Sequence, residues 1–254
     1  MKQLIAVLFI PLLFSCSKSI LMKPAKGKTG KTDTIQFSGY SWMIRDSGDG
    51  KEGPGPNRWK SANAYVDSKG FLHLKITKSG DNWYCSEVTC TQKFGYGTYQ
   101  WQVESKFDTL DRNIILGLFN YSGVDGRDEM DIELGRWAKE KFNNTSYTIF
   151  PAQHVADTSN WNKTLNTIFP EGSPYTTQRF TWNDNRSVFF QELMGFHDDN
   201  TGQVDSVTCY NPPHSISSLP MPVHMNFWLF ESSSPSNKIP AEIIIHSFKF
   251  IAKP

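Results

Sequence analysis

From Ile35 onward the chain runs in short stretches where apolar and polar positions alternate, separated by turn residues. No stretch keeps an apolar period of 3.6 residues beyond about one turn. Ala64-Tyr65-Val66 and Phe71 to Ile76 flank Asp67-Ser68-Lys69-Gly70, and Phe180 to Trp182 and Val188 to Gln191 flank Asn183-Asp184-Asn185-Arg186. Both patterns predict β-hairpins. Thr98 to Phe107 alternates, Asn113 to Tyr121 is an apolar run, and Val223 to Phe230 and Ala241 to Ile251 close the chain. Short strands with frequent turn signals and no internal repeat predict an all-β antiparallel sandwich or barrel.

One expected strand stands apart. In Glu129-Met130-Asp131-Ile132-Glu133-Leu134, a period of two puts three carboxylates on one face and Met130, Ile132 and Leu134 on the other. Neighbours two apart on a strand are roughly 7 Å from each other, so each ionised pair repels by about 2 kcal/mol at an effective dielectric near 20. A solvated sheet face accounts for one such acid. Three in succession, with no Lys, Arg or Thr between them and Trp137 in phase beyond, suit paired-carboxylate cleavage of a glycosidic bond. On the Val223 to Phe230 strand, His224, Asn226 and Trp228 share a face, a set suited to sugar hydroxyls and to stacking on a pyranose.

Composition narrows the setting. The 254 residues are 38% hydrophobic, enough for one domain with a sizeable core. Lys plus Arg is 26 and Asp plus Glu 25, so no global field points to nucleic acid. Eight Trp suggest flat apolar surfaces beyond the needs of a core. Met1-Lys2-Gln3 and the apolar Leu4 to Phe14 form a secretory signal too short to span a membrane. Its end, Leu13-Phe14-Ser15-Cys16, resembles a bacterial lipoprotein box. That resemblance implies cleavage before Cys16, a lipid on Cys16, and, with Ser17 next, an outer-membrane anchor. Residues 1–15 are then the signal, 16–34 a basic tether and 35–254 the folded domain. Within the tether, Gly27 to Thr32 lacks the spacing of a phosphate-binding loop. Cys85, Cys90 and Cys209 remain, so at most one disulfide forms. Cys85 and Cys90, expected in one strand at an odd offset, face opposite sides.

Glu-Met-Asp-Ile-Glu resembles the Glu-x-Asp-x-Glu signature of family 16 glycoside hydrolases. Two further segments resemble that family: Ser86 to Gly97, ending in Gly95-Tyr96-Gly97, and Met225-Asn226-Phe227-Trp228. The resemblance runs from about Phe37 to Phe250. It implies a lectin-like β-jelly-roll sandwich of two curved antiparallel sheets with a cleft on the concave face. It also implies a retaining mechanism: Glu129 as nucleophile, Glu133 as general acid and base, Asp131 orienting the nucleophile. Glu87 falls at a sugar-contacting position. Tyr121 either reaches the cleft or packs in the core, and Trp137 either lines the cleft or covers the sheet edge. The Gly- and Pro-rich loop Ser47 to Trp59 is expected at one end of the cleft.

The departures concern substrate. The motif lacks the extra residue of laminarinase-like members, but Arg127 and Thr89 replace a Trp and a sugar-contacting Arg of lichenases. His246 stands where many members hold a structural Ca²⁺ through an Asp, so no cofactor or metal is expected. The leading expectation is a monomeric, lipid-anchored, endo-acting β-glycan hydrolase, with β-glucan as first choice and the membrane and the polysaccharide as partners. A non-catalytic glycan-binding lipoprotein and a transglycosylase are the alternatives.

Overall fold

The computed structural model describes residues 33–107, 109–141, 143–155, 163–168, 173–212 and 214–253. The signal, Cys16 and the tether up to residue 32 lie outside them. Sixteen strands are described: β1 (Thr34–Phe37), β2 (Tyr40–Ile44), β3 (Ala64–Val66), β4 (Leu72–Ser79), β5 (Asn82–Tyr84), β6 (Ser86–Phe94), β7 (Gly97–Glu104), β8 (Ile114–Tyr121), β9 (Glu129–Gly135), β10 (Thr145–Phe150), β11 (Lys163–Thr167), β12 (Tyr175–Trp182), β13 (Ser187–Met194), β14 (Gln203–Tyr210), β15 (Met221–Leu229) and β16 (Ala241–Ala252). The first begins at Thr34, one residue before the expected domain start.

The strands form two antiparallel sheets. The first runs β1-β2-β6-β15-β8-β9-β10-β11, and the second β14-β13-β12-β7-β16-β4-β3 with β5 attached to β4. The all-β jelly-roll sandwich expected from the sequence is the architecture observed. Both expected hairpins form, with Ala64–Val66 on Leu72–Leu74 and Trp182 on Val188. The first turn is made by Asp67, whose Oδ1 accepts from the backbone N–H of Lys69 and of Phe71 at 2.9 Å each.

Period-two patterning accounts for the core. Met130, Ile132 and Leu134 of β9, Leu116 and Leu118 of β8, and Met225 and Phe227 of β15 are buried between the sheets. They meet Trp101, Phe180, Phe190, Ile243 and Ile245 of the second sheet in one cluster. The opposite face of the first sheet is left for polar chemistry. Gly135 shows how tightly the strands lie: a Cβ there would come within 2.3 Å of Ile115 Cδ1 and 2.6 Å of the Ile114 carbonyl oxygen.

One local expectation changes. Cys85 and Cys90 do not share a strand, because β5 ends at Tyr84 and β6 starts at Ser86. Between them Cys85 makes a parallel bridge to Trp59, its N–H donating to the Arg58 carbonyl at 2.7 Å. This bridge interrupts the antiparallel run, so the odd-offset argument does not apply. Cys85, Cys90 and Cys209 are buried, and none of them is in a disulfide.

Candidate active site

Strand register assembles the outer face of the first sheet into rows. One row crosses six strands: Glu87, Asn226, Gly117, Glu133, Ser146, Asn166. The next is Thr89, His224, Phe119, Asp131, Thr148, Thr164, and beyond it Tyr121 and Phe150 flank Glu129. The sequence therefore places Glu129, Asp131 and Glu133 on one face as expected, and β9 pairs with both neighbours without a bulge. Glu87, His224, Asn226 and Tyr121 join them on that face.

The three acids are far from being an ordinary solvated row. Asp131 is buried, and Glu129 and Glu133 are half-buried. Burial pushes the Glu133 carboxyl up to about 8. Burial and then repulsion from Glu133 push Glu129 up to about 8, against a hydrogen bond from Asp131 that favours its ionised form. Asp131 is raised well above its ordinary value by burial first, then by the charges of Glu129 and Glu133 and by the proton it donates to Glu129. The main influences on the three are burial and the other acids.

Glu87 is the contrast on the same face. Burial opposes its ionisation, yet the His224 hydrogen bond and the Arg45 charge hold its carboxyl below the usual value. Arg45 Nη1 donates to Glu87 Oε2 at 2.6 Å, and Glu87 Oε1 lies 3.1 Å from His224 Nδ1. The His224 ring is stacked on Phe119 at 5.0 Å between centroids, and Thr89 Oγ1 is 3.0 Å from its Nδ1. Arg45 also pairs with Glu52 at 3.1 Å and lies over the Trp59 ring. The Ser47 to Trp59 loop is thereby tied beside Glu87, and Asn57 Nδ2 donates to the Leu229 carbonyl at the end of β15.

On the other side of Glu133, an open groove of about 340 Å³ is lined by Glu133, Trp137, Lys139, Ser146, Thr148, Phe150, Thr164 and Asn166. Trp137 reaches it differently from the expectation. Its strand ends at Gly135, and Trp137 and Ala138 take left-handed conformations with φ of 53° and 62°. A bulky residue with such a φ is uncommon and costs energy, which concentrates at functional sites. The indole Nε1 donates to Ser146 Oγ at 3.1 Å, and Ser146 Oγ donates to Asn166 Oδ1 at 2.8 Å. Trp228, expected to present its ring to a sugar, is only 5% exposed because Trp137 and Phe230 pack around it. Trp137 is the partly exposed indole. Tyr121 faces the cleft side rather than the core: its ring meets His224 and its hydroxyl donates to Asp125 Oδ1 at 2.6 Å.

Two features escaped sequence reading. Arg45 follows β2 and meets Glu87 only through long-range pairing, so no local pattern marks it. Gly117 sits between Asn226 and Glu133, and a Cβ there would lie 2.4 Å from Asn226 Oδ1. Its absence opens the floor between the two side chains. Asn226 Oδ1 is buried with no partner, a free acceptor beside Glu133.

The metal position implied by the family resemblance does not fit a calcium ion. His246 Nε2 lies 2.7 Å from Glu104 Oε2, and a hard cation takes oxygen ligands. Among the described residues, no three His, Cys, Asp or Glu side chains gather to hold a metal.

No family model and no curated protein matches the sequence. Solved structures do match. A Bacillus licheniformis β-glucanase superposes with a TM-score of 0.59 at 22% identity, covering 89% of this chain and 100% of its own. A prokaryotic β-1,3-1,4-glucanase (lichenase) from a mouse hindgut metagenome gives 0.56 at 20% identity, covering 82% of this chain and 92% of its own. Rv0315, an immunostimulatory antigen and pseudo β-1,3-glucanase of Mycobacterium tuberculosis, gives 0.62 at 16% identity, covering 84% and 91%. The chain is therefore a β-jelly roll of the type found in β-glucanases, the fold of the family 16 glycoside hydrolases that its sequence resembles.

Proposed function

We propose that the protein is an endo-acting glycoside hydrolase that cleaves a β-linked polysaccharide, β-glucan foremost, with retention of configuration. The observation that supports this reading is the row of Glu129, Asp131 and Glu133 on the outer face of one unbulged strand, with Glu133 lining an open groove. Asp131 keeps a proton and donates it to Glu129, which favours the ionised form of Glu129. Burial raises both Glu129 and Glu133 to about 8, and repulsion from Glu133 adds to the rise at Glu129. In the proposed roles Glu129 is the member that acts ionised. Its charge in turn holds the proton on Glu133.

That is the state double displacement requires. Ionised Glu129 attacks the anomeric carbon while Glu133 gives its proton to the leaving glycosidic oxygen, forming a glycosyl ester on Glu129. Glu133, now ionised, takes a proton from water, whose oxygen attacks the same carbon and releases Glu129. Asp131 positions and supports Glu129 throughout. Residues four apart on a strand have Cα atoms roughly 13 Å apart, so retention requires the two glutamate arms to lean toward each other over Asp131 to reach roughly 5–5.5 Å. Asn226 Oδ1 and the Ser146–Asn166 pair offer acceptors and donors for sugar hydroxyls, and Trp137 offers an aromatic face.

The test is cleavage of mixed-linkage glucan, laminarin, xyloglucan, agarose and carrageenan by the full chain, with product anomers followed by NMR. Glu129→Gln and Glu133→Gln are each expected to lower turnover by about 10³-fold or more while the fold is kept. Turnover surviving in either variant removes the assigned roles, and inverted products remove the mechanism. A sugar-binding role without turnover is the second reading. It is favoured by the elevated Glu129 value, which leaves little carboxylate at neutral pH in the free site. Retention of glucan by the wild type with no cleavage across the panel would select it.

A further inference from the structure

A second group of acids lies between the sheets, away from the outer face. β10 of the first sheet packs there on β13 of the second: Thr145 Oγ1 donates to Glu192 Oε1 at 2.8 Å, and Tyr147 stacks on Phe190 at 4.7 Å. Register puts Gln178, Glu192 and Asp205 side by side on adjacent strands. Directly opposed residues point to the same side with Cβ atoms about 4.5–5.5 Å apart. Glu192 and Gln178 are both fully buried. Glu192 Oε2, Gln178 Oε1 and Asp205 Oδ2 are buried oxygens without a hydrogen-bond partner. Thr167 Oγ1, paired in register with Thr145, is another.

Among the described residues, the groups acting on Glu192 are Thr145, Asp205 and Tyr147, whose buried hydroxyl is a donor toward it. The guanidinium on β12, Arg179, belongs to the opposite face and is taken up by Gln100, Asn200 and the His197 and Asp199 carbonyls. A buried charge without a partner is not tolerated, so Glu192 either keeps its proton or shares a cation. With the Tyr147 hydroxyl turned to Glu192, a single carboxyl proton still reaches only one of Gln178 Oε1 and Asp205 Oδ2 and leaves the other bare. A cation satisfies all of them together.

We propose that Gln178, Glu192 and Asp205, with hydroxyl oxygens from the facing sheet, form a binding site for a hard divalent cation of the Ca²⁺ class. Two carboxylates match its charge. Ca²⁺ takes 6–8 oxygens from carboxylates, amide carbonyls and water in irregular arrangements, whereas Mg²⁺ demands a near-ideal octahedron and holds its waters. Asp205, on the edge strand β14 and partly exposed, gives a route in. The ion would tie β10 to β13 and β14 and so fasten the sheet that carries the acidic strand to its partner. This site is distinct from the last-strand position that His246 occupies, and it does not depend on the hydrolase reading.

The test is thermal unfolding of the full-length chain, stripped with chelator and titrated with CaCl₂, with MgCl₂ and NaCl at matched ionic strength as separate arms. Free Ca²⁺ at a hundred times its Kd is expected to raise Tm by roughly 5–11 °C, with a smaller rise in Mg²⁺ and none in Na⁺. Glu192→Gln and Asp205→Asn, which keep volume and remove charge, are expected to abolish the rise. If Glu192→Gln does not fold, Asp205→Asn at the partly exposed edge decides alone. No rise in Ca²⁺, an equal rise in Mg²⁺ or Na⁺, or a full rise in the Asp205→Asn variant overturns the proposal.

Discussion

Replacing Glu133 by Gln should make the protein more stable near pH 7 while removing the proposed activity. Gln keeps the volume of Glu and removes only the titration. In the unfolded chain Glu133 ionises around its ordinary value of 4.5, whereas burial in the folded chain raises it to about 8. Between these values the unfolded state has released a proton that the folded state keeps. Folding stability therefore falls as pH rises through that window and is fully present below it. At about pH 7 the window has been crossed by about 2.5 units, which at 1.36 kcal/mol per unit gives an upper limit of about 3.4 kcal/mol. Solvent reaching the half-buried side chain reduces that to about 1–3 kcal/mol. For a domain of this size the gain corresponds to roughly 2–12 °C in Tm. Thermal melts of wild type and Glu133→Gln at half-unit steps from about pH 4 to 8 read it directly. The two curves should coincide near pH 4 and separate as pH rises. A difference independent of pH, or a variant less stable at neutral pH, would refute the claim that an uncompensated buried acid sits there.

Three further outcomes follow from single contacts. Arg45→Ala leaves Glu87 buried with His224 alone, and since Arg45 is itself partly exposed the expected loss is about 1–3 kcal/mol by denaturant unfolding, greatest above the Glu87 titration and shrinking as pH falls through it. Gly117→Ala sets a Cβ against Asn226 Oδ1 and displaces the amide, costing about 1–3 kcal/mol and raising KM more than it lowers kcat on any polysaccharide that is cleaved. Metabolic labelling with palmitate should mark the wild type and not Cys16→Ser, and the variant should leave the membrane fraction; label retained by the variant removes the proposed outer-membrane anchor.

The elements that sequence revealed are those whose two faces differ. β9 was legible because its acids and its aliphatic residues alternate without exception, and the hairpins because Asp67 and Gly70 are turn-making residues whose job is local. β10, β11 and β14 were not identified. Thr145 to Phe150 is buried on both faces, and Gln203 to Tyr210 is an edge strand with polar residues on each side, so neither carries a strong period-two signal. The acids of the site could be read, but what surrounds them could not. Arg45 meets Glu87 across 42 residues of chain. Trp137 displaces Trp228 as the accessible indole only because the chain turns left-handed after Gly135, and the sequence around Trp137 gives no sign of such a turn.

The outer face holds four carboxylates within two rows of each other, and one cation separates their fates. Glu87 has Arg45 and is a fixed negative charge, useful for holding hydroxyls and useless for moving protons. Glu129, Asp131 and Glu133 make no ion pair among the described residues, and burial and mutual repulsion raise all three. A surface made only to hold a neutral sugar gains nothing from leaving three acids uncompensated, because each lowers stability and none adds a hydrogen bond that an amide could not make. Proton transfer does need groups whose charge can change during a reaction, with values near the working pH. The fold can neutralise a buried acid on this face, as it does at Glu87, and among the described residues no ion pair does so for the β9 acids. This difference within one sheet is the strongest physical reason to expect bond cleavage rather than binding alone.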